Sequence, residues 1–405
     1  MSNGPLVGYR VLDLGSTVAG PFCARLLADF GAEVVKVEDL AGDPLRNLGE
    51  TFRGKSLYAA TLLRNKRIIS INLRSKEGQD IVRKLVPHFD IVVENFRPGM
   101  LEKWGLGYED LRQIRPDLIM TRISGFGQTG PMSQRPGYGV IGEAMSGLRE
   151  MIGDPDRPPS RVGLPLTDYI TALYAAFGTA MAVIARESTG EGQCVDAALY
   201  EAAFSLMEAS VPAFEKTGKL PRRAGARLPN SAPNSLYPTR DNKFIHIAAL
   251  ADQVYRRLCK AMGQPELGTD PRFADQATRA RHVEEIDAIV EGWSSSLDLE
   301  QIEKILDAED VPASRIFTMA DIFANEHYRF RNMILDVPDE DLGSVKLPGI
   351  VPKLSRTPGQ VRWSGHRNGQ DSHAVLKDYL HLDDAEIKRL LTIGAIGSDA
   401  LEAAE

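Results

Sequence analysis

The sequence predicts an α/β fold built on an open, parallel, twisted sheet. Residues 9–37 read as a strand, a small-residue turn, a helix and a second strand, which is the order and length of a βαβ unit. Further apolar strands follow, and each leads into a loop that carries glycine or asparagine. An uncharged segment at 169–185 then precedes an alternating strand at 194–199. These three observations favour a sheet with buried helices packed on it.

The first half of the chain supplies most strands of this sheet. The predicted elements are strands at 9–14, 32–37, 64–73, 90–93 and 118–123, with helices at 22–30, 76–89 and 101–104. Ligands bind open α/β sheets at the carboxyl ends of their strands. The loops at 15–21, 94–99 and 124–127 are therefore the expected ligand-binding positions.

A smaller domain is predicted in the second half of the chain. A helix is expected at 201–214, and the Pro-, Arg- and Asn-rich stretch at 215–238 is typical of a linker or a long functional loop. A more charged composition follows, which sets the predicted domains at 1–224, 225–330 and 331–405. The elements expected there are a strand at 244–250, helices at 252–262, 280–296 and 299–308, short β segments from 334, and helices at 371–380 and 383–393.

Composition and charge indicate a cytoplasmic enzyme that binds neither nucleic acid nor a membrane. The net charge of −7 over 405 residues argues against a nucleic-acid binder and requires a local basic patch for any anionic ligand. The three cysteines and seven histidines have no metal-ligand spacing, and no signal peptide is evident at the N-terminus. Residues 169–185 are at the short limit for a membrane span and rich in Ala and Thr, so a buried helix is the better interpretation.

Asp168 is the candidate catalytic residue. Thr167 and Asp168 precede the uncharged segment at positions typical of a helix N-cap, where a carboxylate meets the positive end of the helix. A cap alone would explain this acid. Basic residues near the strand ends favour a shared anion site over scattered surface charge, and add to the case for chemistry. They are Lys66, Arg67, Arg97, Lys103 and Arg135.

A nicotinamide enzyme is the first alternative, and the turn after the first strand disfavours it. Glu38 occupies the place of the acid that holds a ribose in dinucleotide-binding folds. The turn itself reads GSTVAG at 15–20, which lacks the G-x-G-x-x-G pattern.

Short motifs in a specific order resemble the class III CoA-transferases of the CaiB/BaiF type. This group includes formyl-CoA transferase, carnitine CoA-transferase and the α-methylacyl-CoA racemases, and the resemblance covers nearly the whole chain. The motifs are VLDL (11–14), AGP (19–21), GAEVVKVE (31–38), NKR (65–67), VENFRPG (93–99), SGFG (124–127), TG (189–190), GQ (192–193) and GQD (369–371).

The resemblance implies an enzyme that moves CoA from an acyl-CoA thioester to a small free carboxylic acid. Asp168 matches the family nucleophile, which forms an aspartyl-CoA thioester. CoA and acyl-CoA are then substrates, and no tightly bound cofactor or metal is expected. The positions that match the family's CoA site are Thr17, Val18, Ala19, Lys66, Arg67, Asn95, Phe96, Arg97, Lys103, Arg135 and Tyr138. The implied fold is two subunits interlocked like chain links, each with a large domain made from both termini and a small α+β domain between.

Two departures from family patterns bear on the substrate. Racemases of the group carry a His and a Glu where this chain has Tyr138 and Ala251, so no pair for proton transfer at carbon is evident. The glycine-run flap of the oxalate-specific formyl enzymes is also missing. A racemase or epimerase and a non-catalytic acyl-CoA-binding protein remain as alternatives.

A basic loop suggests a small dicarboxylate, with succinyl-CoA as donor. Residues 221–230 carry Arg222, Arg223 and Arg227, any one of which is able to clamp a distal carboxylate. Solvent-exposed linker charge or contact with CoA phosphates is the competing explanation for these arginines.

Overall fold

The computed structural model describes residues 4–399, and these separate into two compact units. The larger unit combines the described parts of Met1–Leu148, Val162–Lys216 and His327–Glu405, and the smaller unit combines Arg149–Arg161 and Thr217–Glu326. The boundaries predicted from the sequence, at 225 and 331, lie a few residues further along the chain. The sequence-based division includes residues 149–161 in the first domain, and in the structure they group with the smaller unit.

The strands and helices fall close to the predicted positions. In chain order the strands are β1 (Arg10–Asp13), β2 (Glu33–Glu38), β3 (Thr51–Phe52), β4 (Lys55–Ser56), β5 (Lys66–Ile71), β6 (Ile91–Glu94), β7 (Ile119–Ser124), β8 (Cys194–Ala198), β9 (Asn234–Pro238), β10 (Phe244–Ala248), β11 (Ala313–Arg315), β12 (Ile334–Asp339), β13 (Gly343–Pro348) and β14 (Ile396–Gly397). The helices are α1 (Ala19–Asp29), α2 (Leu57–Leu62), α3 (Lys76–Leu85), α4 (Met100–Lys103), α5 (Tyr108–Ile114), α6 (Gly139–Met145), α7 (Leu166–Thr189), α8 (Leu199–Phe204), α9 (Ser210–Thr217), α10 (Asp252–Ala261), α11 (Gln276–Arg281), α12 (Val283–Ser294), α13 (Leu299–Ala308), α14 (Met319–Ala324), α15 (Glu326–Phe330), α16 (Ser372–Leu380) and α17 (Asp384–Thr392).

The core of the larger unit is an open sheet, which confirms the predicted α/β class. Over residues 4–399 it has seven strands in the order β14-β5-β2-β1-β6-β7-β8. All neighbours are parallel except β14, which pairs antiparallel with β5. The strand order reverses at β1, which lies between β2 and β6. Ligand sites of open α/β sheets form at such a reversal, beyond the carboxyl ends of the strands.

Helices cover both faces of this sheet because successive strand residues point to opposite sides. Val11 of β1 packs in a cluster with residues of α1 and α7. Leu12, the next residue, packs in a second cluster with residues of α3, α16 and α17. The last two of these helices come from the C-terminal part of the chain, which therefore completes the larger unit.

The smaller unit is α+β, as predicted. It contains the antiparallel sheet β11-β10-β9. Residues of α10, α12 and α13 bury its apolar side chains in a separate core.

Helix α7 corrects two predictions. It begins at Leu166 with Pro165 at the N-cap, so Asp168 lies in the first turn and not at the cap. The Thr167 hydroxyl is buried without a hydrogen-bond partner and caps nothing. Burial covers only one face, whereas a second apolar face is exposed. Its members are Leu173, Tyr174, Phe177, Met181 and Ile184, which are 43% to 63% exposed.

Helix α7 is also the one described helix that is long and apolar enough to cross a membrane by length and composition alone. A helix in the core of a globular protein meets the same criteria.

The predicted helix at 201–214 is interrupted. It consists of α8, a short 3-10 segment (Ser205–Met207) and α9. Pro212 has no amide hydrogen and is tolerated only in the first turn of a helix, where α9 places it.

Candidate active site

Two loops that follow neighbouring strands meet where the strand order reverses. Residues 15–21 follow β1 and residues 95–99 follow β6. The Asn95 side chain ties them together, since its Oδ1 accepts from the Ser16 amide at 2.7 Å and its Nδ2 donates to the Ser16 carbonyl at 2.9 Å. A Cβ on Gly20 would lie 3.1 Å from Asn95 Oδ1, so glycine permits this close approach. The Asn95 side-chain amide therefore stabilises the turn, and both of its polar atoms already have a hydrogen-bond partner.

The turn at 15–21 offers backbone amides more than side chains. Thr17 has a left-handed backbone (φ 65), and its amide donates to Asp43 Oδ1 at 2.9 Å. The side chains of Val18 and Ala19 are buried. Val18 precedes α1, and no side chain caps that helix. The first N–H groups of a helix lack partners within it, so α1 presents amide donors at its start.

Asp168 is connected to this turn through its neighbour Tyr169. The Tyr169 ring lies 4.7 Å from the ring of Phe22 in α1, measured between centroids, and its hydroxyl is 2.7 Å from the hydroxyl of Tyr58. These three aromatic side chains pack on the apolar cluster that contains Val18. The structure thus brings the first turn of α7 and the start of α1 into one region.

The Asp168 carboxylate lies against the first residue of α6, Gly139. A Cβ at Gly139 would lie 2.0 Å from Asp168 Oδ2, so a larger residue there would displace the carboxylate. The side chain is half-buried. Burial, the hydrogen bond to Tyr169 and the nearby charge of Asp168 together raise the pKa of Tyr58 above its ordinary value, and Tyr58 stays a neutral hydroxyl.

Glu94 fixes the start of the second loop. It is fully buried, and one oxygen accepts from the Phe96 amide at 2.7 Å while the other accepts from Arg122 at 2.7 Å. Burial raises the pKa of this carboxyl to about 7, although the Arg122 guanidinium favours the charged form.

A cavity of about 360 Å³ opens beside these loops. The rings of Phe96 and Trp104 form one apolar wall, edge to face with centroids 5.3 Å apart. Arg74 also lines the cavity and pairs with Asp39 at 2.9 Å. Of these residues only Phe96 was predicted from the sequence. The one signal for Trp104 is its position directly after the predicted ligand Lys103.

Three of the predicted cations are available for an anion. Among residues 4–399, no carboxylate lies within ion-pair distance of Arg97, Lys103 or Arg135. The Arg97 guanidinium donates to the Gln134 carbonyl, which brings the second loop next to the segment that carries Arg135. Tyr138 follows in that segment and is 74% exposed.

Lys66 and Arg67 do not join this group. Lys66 is fully buried, and its ammonium lies 2.8 Å from Asp13 Oδ2 and 2.7 Å from the Pro21 carbonyl. Arg67 is the second residue of β5, at the opposite end of the strand from the cavity, and it pairs with Asp378 at 2.7 Å and Glu33 at 3.5 Å. Residue type and sequence position alone do not show which partners these two side chains have.

The other sequence-based candidates have structural partners. Glu38 is 3% exposed, and its two oxygens accept from Arg46 at 2.7 Å and 2.8 Å, so both are engaged within the protein. The described residues contain no group of three His, Cys, Asp or Glu side chains arranged to hold a metal ion.

The sequence matches, over residues 6–372, the family model described as CoA-transferase family III. The chain belongs to this family. The predicted resemblance is confirmed, and the protein is a CoA-transferase.

Several curated relatives of this family III CoA-transferase are enzymes named for succinyl-CoA. It is 47% identical to the succinyl-CoA–D-citramalate CoA-transferase of Chloroflexus aurantiacus, over 95% of this chain and 96% of the relative. It is 38% identical to the succinyl-CoA:mesaconate CoA-transferase of Haloarcula hispanica, over 87% of this chain and 91% of the relative. Among solved structures, a CaiB/BaiF family protein from Brucella suis superposes with a TM-score of 0.84 at 32% identity, over 93% of this chain and 100% of that one.

Proposed function

We propose that this protein transfers CoA from succinyl-CoA to a second small dicarboxylic acid, with Asp168 as the nucleophile. The observation that carries the proposal is the position of Asp168 in the first turn of α7, in contact with Gly139 and next to Tyr169, which packs on Phe22 of α1. The names of the relatives support the substrate class, since citramalate, malate and mesaconate are all dicarboxylates.

The reaction exchanges thioester and anhydride bonds. The Asp168 carboxylate attacks the donor thioester carbonyl and expels CoA thiolate, which leaves a mixed anhydride. The thiolate attacks the aspartyl carbonyl of that anhydride and releases the donor acid, which leaves an aspartyl-CoA thioester. The acceptor carboxylate then repeats these steps in reverse. A carboxylate in a water-poor site at a helix start is a better nucleophile than one in bulk water, because it is less hydrated.

Each tetrahedral intermediate places negative charge on an oxygen, and amides of the turn at 15–21 are suited to stabilise it. The amides of Gly15, Ser16 and Thr17 already donate to Asp13, Asn95 and Asp43. These three contacts are 2.9, 2.7 and 2.9 Å long. In the SGFG loop, Gly127 donates to the Ser124 hydroxyl at 2.9 Å. The amides that begin α1, at residues 18–20, are therefore the proposed oxyanion donors.

The cavity and the free cations are the proposed CoA site. Phe96 and Trp104 offer an aromatic wall for the base, and Arg97, Lys103 and Arg135 offer charge for the phosphates. Thr17, Val18 and Ala19 then contact the thioester end through their backbone. Asn95 and Lys66 support the turn behind this site through their contacts with Ser16 and Asp13, and we assign no contact with CoA to Arg67, which pairs with Asp378.

The functional unit we propose is a cytoplasmic homodimer. The exposed apolar face of α7, which carries Leu173, Phe177 and Ile184 among others, is the surface that a second copy would cover.

The decisive experiment is a comparison of wild type with Asp168→Asn. The variant keeps the shape of the side chain, and we expect it to fold normally and lose turnover by about a thousandfold or more, as is typical when a covalent nucleophile is removed. Succinyl-CoA with borohydride or hydroxylamine should modify wild type at residue 168 and leave the variant unmodified, as read by peptide mass spectrometry.

The matched control is Asp196→Asn, which changes a carboxylate that accepts the Gln128 amide at 2.9 Å. It should keep turnover and adduct formation. Full turnover by Asp168→Asn, once deamidation back to Asp is excluded, would refute the assignment.

A further inference from the structure

A buried network of charged side chains lies behind the turn at 15–21. Asp43 and Lys36 are 3% and 0% exposed, with 3.0 Å between Lys36 Nζ and Asp43 Oδ2. Burial opposes the charged form of each. The pKa of Asp43 is nevertheless lowered, by Lys36 and by backbone amides, and the pKa of Lys36 is raised by Asp43, Asp13 and Glu38. Both groups are charged in the folded protein.

The two oxygens of Asp43 have separate partners. Oδ1 accepts from the Thr17 amide and from the Leu45 amide, each at 2.9 Å, whereas Oδ2 faces Lys36. The Lys36 ammonium also donates to the Gly15 carbonyl at 2.5 Å. One oxygen thus holds the backbone of the turn, and the other balances the charge.

The backbone of the turn requires a stabilising hydrogen bond at Thr17, which Asp43 accepts. The Thr17 backbone is left-handed (φ 65), a conformation that a residue branched at Cβ rarely adopts without support. The Thr17 amide is two residues before the first residue of α1, Ala19. Release of this amide would let the turn relax and would change the direction of the amides that follow it.

We propose that Asp43 is a positioning residue for CoA transfer, which acts by holding the Thr17 amide so that the amides at 18–20 point at the reacting carbonyl. This inference rests on the proposed function, because it gives those amides their catalytic part. Asp43 is 3% exposed where it lines the cavity, and the scheme assigns it no reacting atom. It acts through the backbone, and its Oδ1 atom is the part that matters for rate.

The test separates rate from stability with two variants of Asp43. Asp43→Ala removes both oxygens and should lower kcat per active site at least tenfold, with active sites counted by borohydride trapping at Asp168. Asp43→Asn keeps an oxygen for the Thr17 amide and removes the counter-charge of Lys36. It should lower the melting temperature markedly, yet keep kcat per active site within threefold of wild type.

Asp29→Asn is the matched control. Asp29 is as buried as Asp43 and pairs with Arg64 at 2.6 Å, at the other end of α1. This variant should lose stability and keep kcat per active site. Wild-type kcat per active site in Asp43→Ala would overturn the proposal. If Asp43→Ala does not fold, the two Asn variants give the test. A tenfold loss of kcat per active site in Asp43→Asn, with no loss in Asp29→Asn, would also overturn the proposal.

Failure of the proposed function gives a different result. If wild type forms no adduct at Asp168, the nucleophile assignment fails before any Asp43 variant is measured. If wild type forms the adduct and Asp43→Ala turns over normally, only the positioning role fails.

Discussion

Three arginines in the smaller unit differ in how far their charge is already engaged. Arg223 pairs with Glu150 and Arg227 with Asp287, each at 2.6 Å. Arg222 is exposed, and within residues 4–399 no carboxylate pairs with it. A guanidinium that must recognise a second carboxylate has to be free of an internal one, so Arg222 is the strongest candidate for dicarboxylate recognition.

We therefore expect Arg222→Ala to lose the preference for a dicarboxylate. Wild type should use succinate at least tenfold more efficiently than butyrate as CoA acceptor, because a misfit leaves the arginine without a partner. The variant should bring the two kcat/KM values within about threefold, which corresponds to a loss of roughly 0.7 kcal/mol or more of discrimination. Product CoA esters are quantified by mass spectrometry.

Arg227→Ala is the control for this experiment, since its partner Asp287 is internal to the smaller unit. Equal use of succinate and butyrate by wild type would contradict the dicarboxylate substrate class. An undiminished preference in Arg222→Ala would move the recognition to another residue.

For single residues, the sequence identifies candidate side chains, but it does not show which of them are free to bind a ligand. Lys66 and Arg97 look alike in sequence, as basic residues beside a strand of the same sheet. Their ion-pair partners determine which of the two can bind an anion. Lys66 pairs with Asp13, whereas no carboxylate in the described part of the chain pairs with Arg97. Such partners lie 50 or more residues away, and one sequence without aligned relatives does not reveal them.

Among the elements, the loop after β6, helix α4 and the segment before α6 carry Arg97, Lys103 and Arg135, and we propose these three cations as the local basic patch that a chain of net charge −7 requires for an anion. Alanine at each position should raise the KM for succinyl-CoA by about threefold to tenfold at low salt, and the effect should shrink as salt screens the charges. Steady-state kinetics at two ionic strengths measure this.

Lys388→Ala serves as the control, because Lys388 is an exposed cation on α17, outside the segments that carry Arg97, Lys103 and Arg135. Its KM should equal that of wild type. If all three variants of the patch matched it, the patch would be ordinary surface charge.

A helix or strand can be predicted from the sequence when its own residues carry the pattern that forms it, and not when it forms only by pairing with a distant segment. The strands β1, β2, β6 and β7 were found from short apolar runs because both sheet faces bury them. β14 was missed, since two residues, Ile396 and Gly397, give no periodic pattern and form a strand only by pairing with β5. The interruption of the helix at 201–214 has a visible signal in Pro212, which is tolerated in the first turn of a helix and not in its interior.

For the whole molecule, the apolar face of α7 predicts a dimer. Wild type should have about twice the chain mass of 44.5 kDa by light scattering after gel filtration. The double substitution Phe177→Asp and Ile184→Asp places charge on two side chains that are 63% and 62% exposed, and should shift the mass toward that of one chain. Burial of an unpaired charge in an interface is strongly unfavourable.

Val7→Asp is the comparison variant, since Val7 is also exposed (53%) but lies outside that face. It should remain dimeric. A wild type that elutes as a single chain, or a double variant that stays dimeric, would contradict this prediction.

The way the larger unit is assembled from three segments also sets the order in which the protein can fold as it is made. One edge of β5 pairs with β14, which lies more than 300 residues later in the sequence. The amide of Asp371 also donates to the Ile68 carbonyl of β5 at 2.9 Å. At about 5–20 residues per second, a ribosome needs many seconds to travel from one to the other. Until then the edge of β5 has no partner, while the smaller unit, whose segments lie between 149 and 326, is already outside the ribosome. A nascent chain stalled late in synthesis therefore carries an exposed strand edge, which chaperones recognise and which favours aggregation.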